Sequence, residues 1–355
     1  MRSFLPLLCV LGACAGKVDD PAADDTAMAE DTAAEDTATD DTDTDDTAVA
    51  EVDDDGDGFP AWRTTDAPLR ADCDDADAAV TPDTERLVPA GSFTRGQADL
   101  PWASPVRTIT LSAYCIDRTE VTNVAFVALL QAEEAAGRSN VDEEGRPLYN
   151  LEDLENGDTF PARIEYADGA WGVVDGYADH AVVEVYHWSA LRYCASVGKA
   201  LPTEAQWEKA ARGAEDARMW PWGDEPPGCE HANFVLTEAG EPPQDGEPCV
   251  QDTTPVGAYP RGASAGGALD LAGNVSEWVA DWFDPEAYAD DPDVDPTGPE
   301  EGALFHDGVG EFVTRIARGG GFLHDATGIQ VAFRTPEPEG GSSNGVGFRC
   351  ARPLE

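Results

Sequence analysis

Hydrophobic and polar positions mark out the first elements of this chain. The segments LVPAGSFTRG (87–96) and VRTITLSAYCIDRTEVTN (106–123) predict strands joined by turns. Val121, Val124, Phe126, Val127 and Leu130 then keep largely to one helical face, so a helix is predicted from a Thr122 cap through Gln131. His187 to Val197 predicts a second helix, stopped by Gly198. The third is the clearest: Thr203 and Gln206 have the spacing of a capping box, Trp207 and Ala210 share a face, and Gly213 ends the helix. Gly, Pro and Asp dominate beyond it, so much of the remainder is expected to be ordered loop, without an internal repeat.

Upstream of residue 51 the apolar pattern vanishes. Residues 14–50 carry DTAMAEDTAAEDTATDDTDTDDTA, a low-complexity run of Asp, Thr and Ala. Such a run has too little apolar surface to offset the entropy of ordering, and like charges stretch it. A disordered spacer is expected there. Before it, MRSFLPLLCVLGACAG combines one arginine, a short apolar run and small residues ahead of a cysteine. Residues 1–13 read as a secretory signal and Leu11-Gly12-Ala13-Cys14 as a bacterial lipobox. Cys14 is then the lipidation site, and the protein is expected to be exported and tethered by lipid in the cell envelope, at the outer membrane. The apolar run is too short to span a bilayer.

Charge narrows the partners. With 71 acids against 22 bases the formal net charge is −49, which repels a phosphate backbone and excludes nucleic acid as a partner. A hydrophobic fraction of 41% and nine tryptophans nevertheless point to a packed globule over most of the length.

Part of the acidity has a pattern. In residues 51–85, Asp53, Asp55 and Asp57 alternate, Gly56 and Gly58 permit tight turns, and Asp72 and Asp74 follow. Hard oxygen ligands at alternate positions wrap around Ca²⁺ as in the first half of an EF-hand loop. The Glu that closes such a loop is replaced by Thr64, so the motif resembles thrombospondin type 3 repeats, with the second aspartate cluster completing the site.

Six separated segments carry a broader resemblance: DRTEVTN (117–123), LPTEAQWEKAARG (201–213), WPWGDEPP (220–227), LAGNVSEWVADW (271–282), Arg318-Gly-Gly and GVGFRCARP (345–353). In this order they resemble the formylglycine-generating enzyme, or sulfatase-modifying factor, domain, over a domain placed at residues 86–355. The resemblance implies an α+β, C-type-lectin-like fold with little regular secondary structure. It also implies structural Ca²⁺ held by Asp270, Gly273, Val275 and Glu277, and a second site using Asn233 and the carbonyl of Phe234, whose expected aspartate falls near Pro248.

Active members of that family carry two copper-binding cysteines after the Arg-Gly-Gly turn. Here RGGGFLHDATGIQVAFR (318–334) contains none. The first position falls at His324, the second near Ala326 or Ile329, and Gly321 replaces the serine. Copper is therefore not expected, and His324, Arg318 and Arg334 are left as the degenerate cleft. No His-Glu-x-x-His spacing or nucleophile elbow occurs elsewhere.

Apart from Cys9 and Cys14, six cysteines remain, and in an exported chain they leave many disulfide pairings open. The resemblance implies Cys194 with Cys350. Cys229 and Cys249 bracket one Pro/Gly-rich insertion, and Cys73 with Cys115 follows only by elimination. Function is expected to be a non-catalytic binding or scaffold module, with a protein, peptide or glycan ligand at the long insertions 137–179 and 284–312. The alternative is an oxidoreductase of the same family acting on a peptide, by sulfatase-type cysteine oxidation or siderophore-type tailoring.

Overall fold

Thr122 caps helix α1 (Asn123–Ala135), its hydroxyl accepting the Ala125 N–H at 3.3 Å. Phe126, Val127, Leu129 and Leu130 are buried, but Val124 faces solvent, so the apolar stripe is narrower than its sequence implies. The helix runs past Gln131 to Ala135, and the buried Glu133, two residues on, pairs with Arg138 and Arg192. Helix α2 (His187–Ser196) ends just before Gly198, which takes φ +74°. Helix α3 (Glu204–Arg212) has both halves of its capping box, Gln206 N–H to Thr203 Oγ1 at 3.2 Å and Thr203 N–H to Gln206 Oε1 at 2.9 Å. A short helix, α4, spans Ala287–Asp290.

The computed structural model describes residues 54–57, 59, 61, 71–74, 76–151, 163–213, 218–237, 246–306 and 310–354. The signal segment, Cys14, the acidic spacer and Asp53 lie outside the described residues. Strands β1 (Glu85–Val88), β2 (Gly91–Arg95), β3 (Arg107–Leu111) and β4 (Tyr114–Asp117) come first. Two hairpin-sized pairs follow, β5 (Ile164–Ala167) with β6 (Ala170–Val173), and β7 (Val235–Leu236) with β8 (Glu247–Pro248). The last are β9 (Ser276–Trp282), β10 (Leu304–His306), β11 (Glu311–Arg318), β12 (Thr335–Pro338), β13 (Val346–Phe348) and β14 (Ala351–Pro353). The largest sheet runs β10-β11-β9-β13 with β12 also on β11; another runs β1-β4-β14, and β2 pairs β3.

Strand β9 divides the core. Successive side chains of a strand point to opposite faces, and here Trp278 enters a cluster with Phe126 and Phe348 while Val279 enters another with Tyr114, Trp207 and Ile316. Disulfides join Cys194 to Cys350, Cys229 to Cys249 and Cys73 to Cys115.

The third of these moves a boundary. Ala71, Cys73 and Val80 pack with Leu87 and Cys115 in one buried cluster, and Arg352 on β14 pairs with both Asp74 and Glu85. A division between residues 85 and 86 therefore cuts through one packed body. Among the described residues no helix is long and apolar enough to cross a membrane.

Candidate functional site

The segment that follows β11 turns at Gly319 and Gly320, both with positive φ, and a Cβ on Gly320 would lie 2.4 Å from the Gly328 carbonyl oxygen. Within the loop His324 is held from both sides of its backbone: its N–H donates to the Gly321 carbonyl at 2.8 Å and its carbonyl accepts the Val235 N–H at 2.7 Å. The imidazole Nδ1 accepts the Gly321 N–H at 3.0 Å. Burial lowers the pKa of the ring, which keeps it neutral. His324 is thus a fastened loop histidine rather than a solvent-facing one.

The two other positions in question are filled with hydrocarbon. Ile329 is fully buried against Trp220, Ala232, Phe234 and Ala272, and Ala326 packs on the same cluster while its carbonyl accepts the Trp220 indole N–H at 3.1 Å. One neutral imidazole beside a methyl group and a sec-butyl group does not fit copper(I), which prefers a pair of soft thiolates.

Arg318 and Arg334 do not line an open cleft. Both are buried in an ionic network anchored on helix α3. Arg318 reaches Glu204 at 3.2 Å and Glu208 at 2.7 Å; Arg334 binds Glu204 through Nε at 2.7 Å and Nη2 at 3.1 Å. Arg95 adds Glu204 at 2.9 Å and Asp291 at 2.5 Å. Burial alone would raise the Glu204 carboxyl, but Arg334, Arg318 and Arg95 together draw it down to about 2. Sequence reasoning missed Glu204 and Glu208 as the partners. Their spacing of four residues on a capped helix, flanking Trp207, was the available signal, because it puts two acids on an inward face.

The expected calcium ligands divide into three cases. Asp55, Asp57 and Asp72 converge, each offering a carboxylate oxygen within 4.8 Å of the others. The Asp57 Oδ2 is buried without a hydrogen-bond partner. Asp74 is turned away, its Oδ2 2.6 Å from Arg352.

At the second place, Asp270 lies beside Glu120 and Glu277, with Arg349 and then Arg118 as the nearby cations. Glu277 receives Arg349 through two bonds of 2.6 Å and the Trp207 indole N–H at 2.8 Å. Asp270 Oδ2 accepts the Gly257 N–H at 2.6 Å, and Asn274 Nδ2 donates to Glu120 Oε1 at 3.1 Å. The Glu120 carboxyl also lies within hydrogen-bond reach of the Asp270 side chain. Burial, reinforced by Asp270 and Glu277, pushes the Glu120 carboxyl well above the usual range. Three acids meet two arginines here, so the chemistry fits an added cation near Asp270. Glu277 alone is already occupied by Arg349. Gly273 and Val275 shape the loop: Gly273 has φ +76° and a Cβ there would lie 2.4 Å from the Asn233 carbonyl oxygen, while Val275 is fully buried.

The remaining candidate, Asn233 with Phe234, is a brace. Asn233 Nδ2 donates to the Asp252 carbonyl at 2.7 Å, its Oδ1 accepts the Val250 N–H at 2.9 Å, and the Phe234 carbonyl accepts the Cys249 N–H at 2.9 Å. These atoms hold the return segment beside the Cys229–Cys249 disulfide. Glu85 also gathers with Cys73 and Cys115, but both sulfurs are in a disulfide.

Residues 72–354 match the profile of the sulfatase-modifying factor enzyme 1-like domain. A formylglycine-generating enzyme of Streptomyces coelicolor is 35% identical over 297 residues, covering 76% of this chain and 88% of that protein. The serine/threonine-protein kinase Pkn1 of Chlamydia trachomatis is 34% identical over 273 residues, which take in 76% of this chain but only 38% of the kinase. Among solved structures, PvdO from Pseudomonas aeruginosa aligns with a TM-score of 0.54 at 24% identity, covering 76% of this chain and 94% of PvdO. The likeness to PvdO is one of fold.

Proposed function

The chain belongs to the sulfatase-modifying factor enzyme 1-like family, and from that premise we propose that it is a non-catalytic binding or scaffold domain. One observation carries this reading. Where the family resemblance places two copper-binding thiols, His324 is tied down by Gly321 and Val235, and Ala326 and Ile329 are packed onto Trp220. The arginines beside them stabilise the frame instead of facing a substrate.

Two calcium ions belong to the proposal as structural parts. Asp55, Asp57 and Asp72 hold one; the other lies at Asp270 beside Glu120. The first site lies at the end of the chain that leads back to the spacer and Cys14. A lipid tether at Cys14 would then display the domain on the cell envelope.

The test offers the purified protein, supplied with copper(I), a Cys-x-Pro-x-Arg peptide under oxygen and scores the peptide by mass spectrometry. The expected result is unchanged peptide from protein shown to be folded by its thermal transition. Formylglycine above a metal-free control would overturn the reading.

A further inference from the structure

A cavity of about 310 Å³ lies away from His324, between helix α2, strand β11 and the turn at 142–146. Its lining is mostly charged. Asp142, Glu143, Glu144 and Glu339 face Arg146, Arg192 and Arg315, so the carboxylates outnumber the guanidinium groups by one. The Trp188 ring offers no free face, being stacked on Tyr186 at 4.6 Å with Arg146 over it at 5.4 Å.

Each arginine is already held. Arg146 binds Asp142 at 2.7 Å and Arg192 binds Glu133 at 2.7 Å. Arg315, seated over the Trp282 ring, binds Glu339 at 3.1 Å and the Ala280 carbonyl at 3.0 Å. An anion would have to break one of these pairs, whereas a cation finds acceptors still open. Glu339 meets Arg315 through Oε1 alone, so Oε2 keeps its lone pairs, and Glu143 only approaches Arg192 at 3.5 Å.

The buried member of the wall points the same way. His187 is 1% exposed, and its Nε2 lies 2.9 Å from the Val279 carbonyl, an oxygen that can only accept. The ring proton is therefore on Nε2, and Nδ1 is a lone pair with no partner among the described residues. Burial, helped by Arg315, lowers the pKa of the ring to about 3, so it stays an acceptor. Glu337 stands opposite Arg315 in the β11–β12 register, hence on the same face of the sheet. Its carboxyl has no hydrogen bond or ion pair among the described residues, and burial alone pushes it up to about 7, as for an acid that lacks a counter-charge.

We propose that this cavity binds a primary alkylammonium group, such as the end of a lysine side chain or of a small diamine. An ammonium has three donors and no acceptor. The open acceptors come from three sides: His187 on α2, Glu339 just beyond β12 and Glu143 in the turn. A bare metal ion is a poorer match, because among the described residues the groups close enough to hold one are elsewhere. Leu191 is there for the alkyl stem to lie against. A chain with 71 acids against 22 bases also draws cations towards its surface. The proposal rests on the binding-domain reading and supplies its ligand class.

The experiment is titration calorimetry on the full-length protein in Ca²⁺, at about 0.15 M salt so that diffuse attraction is screened. The probes are Nα-acetyl-lysine N-methylamide, 1,5-diaminopentane and the uncharged norleucine analogue of the amide. The expected result is saturable binding of at least one amine and none of the norleucine analogue. Glu339→Gln should weaken the binding about tenfold, as for the loss of one charge-assisted hydrogen bond. Glu143→Gln, at an exposed rim position, is the second variant and should also weaken it while leaving the thermal transition in place. Tighter binding of the lysine amide than of the diamine identifies a peptide as the source; equal or weaker binding identifies a free amine. No binding of either amine, equal binding of the norleucine analogue, or binding that both variants leave unchanged would overturn the proposal. The peptide assay reads the other claim separately, since aldehyde formation sinks the non-catalytic reading whatever the amines do.

Discussion

Arg334 and Glu204, 130 residues apart in the chain, meet in a double hydrogen bond of 2.7 and 3.1 Å in the interior of the domain. Arg318 and Arg95 bind the same carboxylate, so one acid on helix α3 ties together β2, the end of β11 and the loop before β12. Removing one partner of a buried pair leaves the others uncompensated, at a cost of about 3–5 kcal/mol. Glu204→Gln is expected to lower the unfolding free energy by that order in urea denaturation. A loss under about 1 kcal/mol would show that the charge at this position is not what holds the three segments.

Asp281 supplies a pH signature. Its Oδ2 accepts the Glu204 N–H at 2.7 Å, while Oδ1 is buried without a partner beside Gly298. Burial, and then the negative charge of Glu204, pushes its carboxyl up to about 7. The unfolded value is about 3.9, so between those values the native state keeps a proton that the unfolded chain has released. Stability therefore falls as pH rises through this window, and the loss is complete above it. Asp281→Asn should raise stability at pH 8 by up to about 4 kcal/mol and leave it nearly unchanged at pH 4. Melting temperatures of the variant and the parent across that range provide the check.

Calcium should stabilise the fold measurably. A ligand present at about a hundred times its Kd adds about 2.7 kcal/mol per site when it binds the native state alone. Calorimetry in Ca²⁺ against chelator is expected to show a higher transition temperature in Ca²⁺. Asp57→Asn and Glu120→Gln should each remove part of the increment. If the double variant keeps the whole increment, the ion binds elsewhere.

The disulfides should differ in worth. Cys194–Cys350 closes 156 residues and Cys229–Cys249 closes 20. Loop-closure entropy grows with the logarithm of length, so losing the longer link should cost about 2 kcal/mol more than losing the shorter. Paired Cys→Ser variants unfolded in denaturant test the order; equal losses would mean that the links act through native packing rather than through the unfolded chain.

Local signals carried the sequence reading a long way. The Thr203–Gln206 capping box, the Thr122 cap and the stop at Gly213 are short-range chemistry and appear where they were expected. What escaped was long-range. Nothing near Arg318 in the chain announces Glu208, 110 positions upstream, and Arg349 meets Glu277 across 72 residues. With acids this abundant, no single carboxylate stood out as an arginine's partner. The cavity between α2, β11 and the turn at 142–146 is drawn from four segments and was equally invisible. The loss of thiols from the segment after Arg318 was legible, but that Ile329 would be packed beneath Trp220 was not.

The clasp that joins the two ends of the folded body has a geometric consequence. Cys73 is bonded to Cys115 on β4, and β14 pairs with that same strand, placing Arg352 against Asp74. Entry and exit of the polypeptide thus share one pole. A probe or fluorescent protein appended at the C-terminal end would crowd the point where the chain enters the body near residue 71, whereas a new pair of ends cut elsewhere, with residues 71 and 354 spliced by a short peptide, should leave the architecture intact.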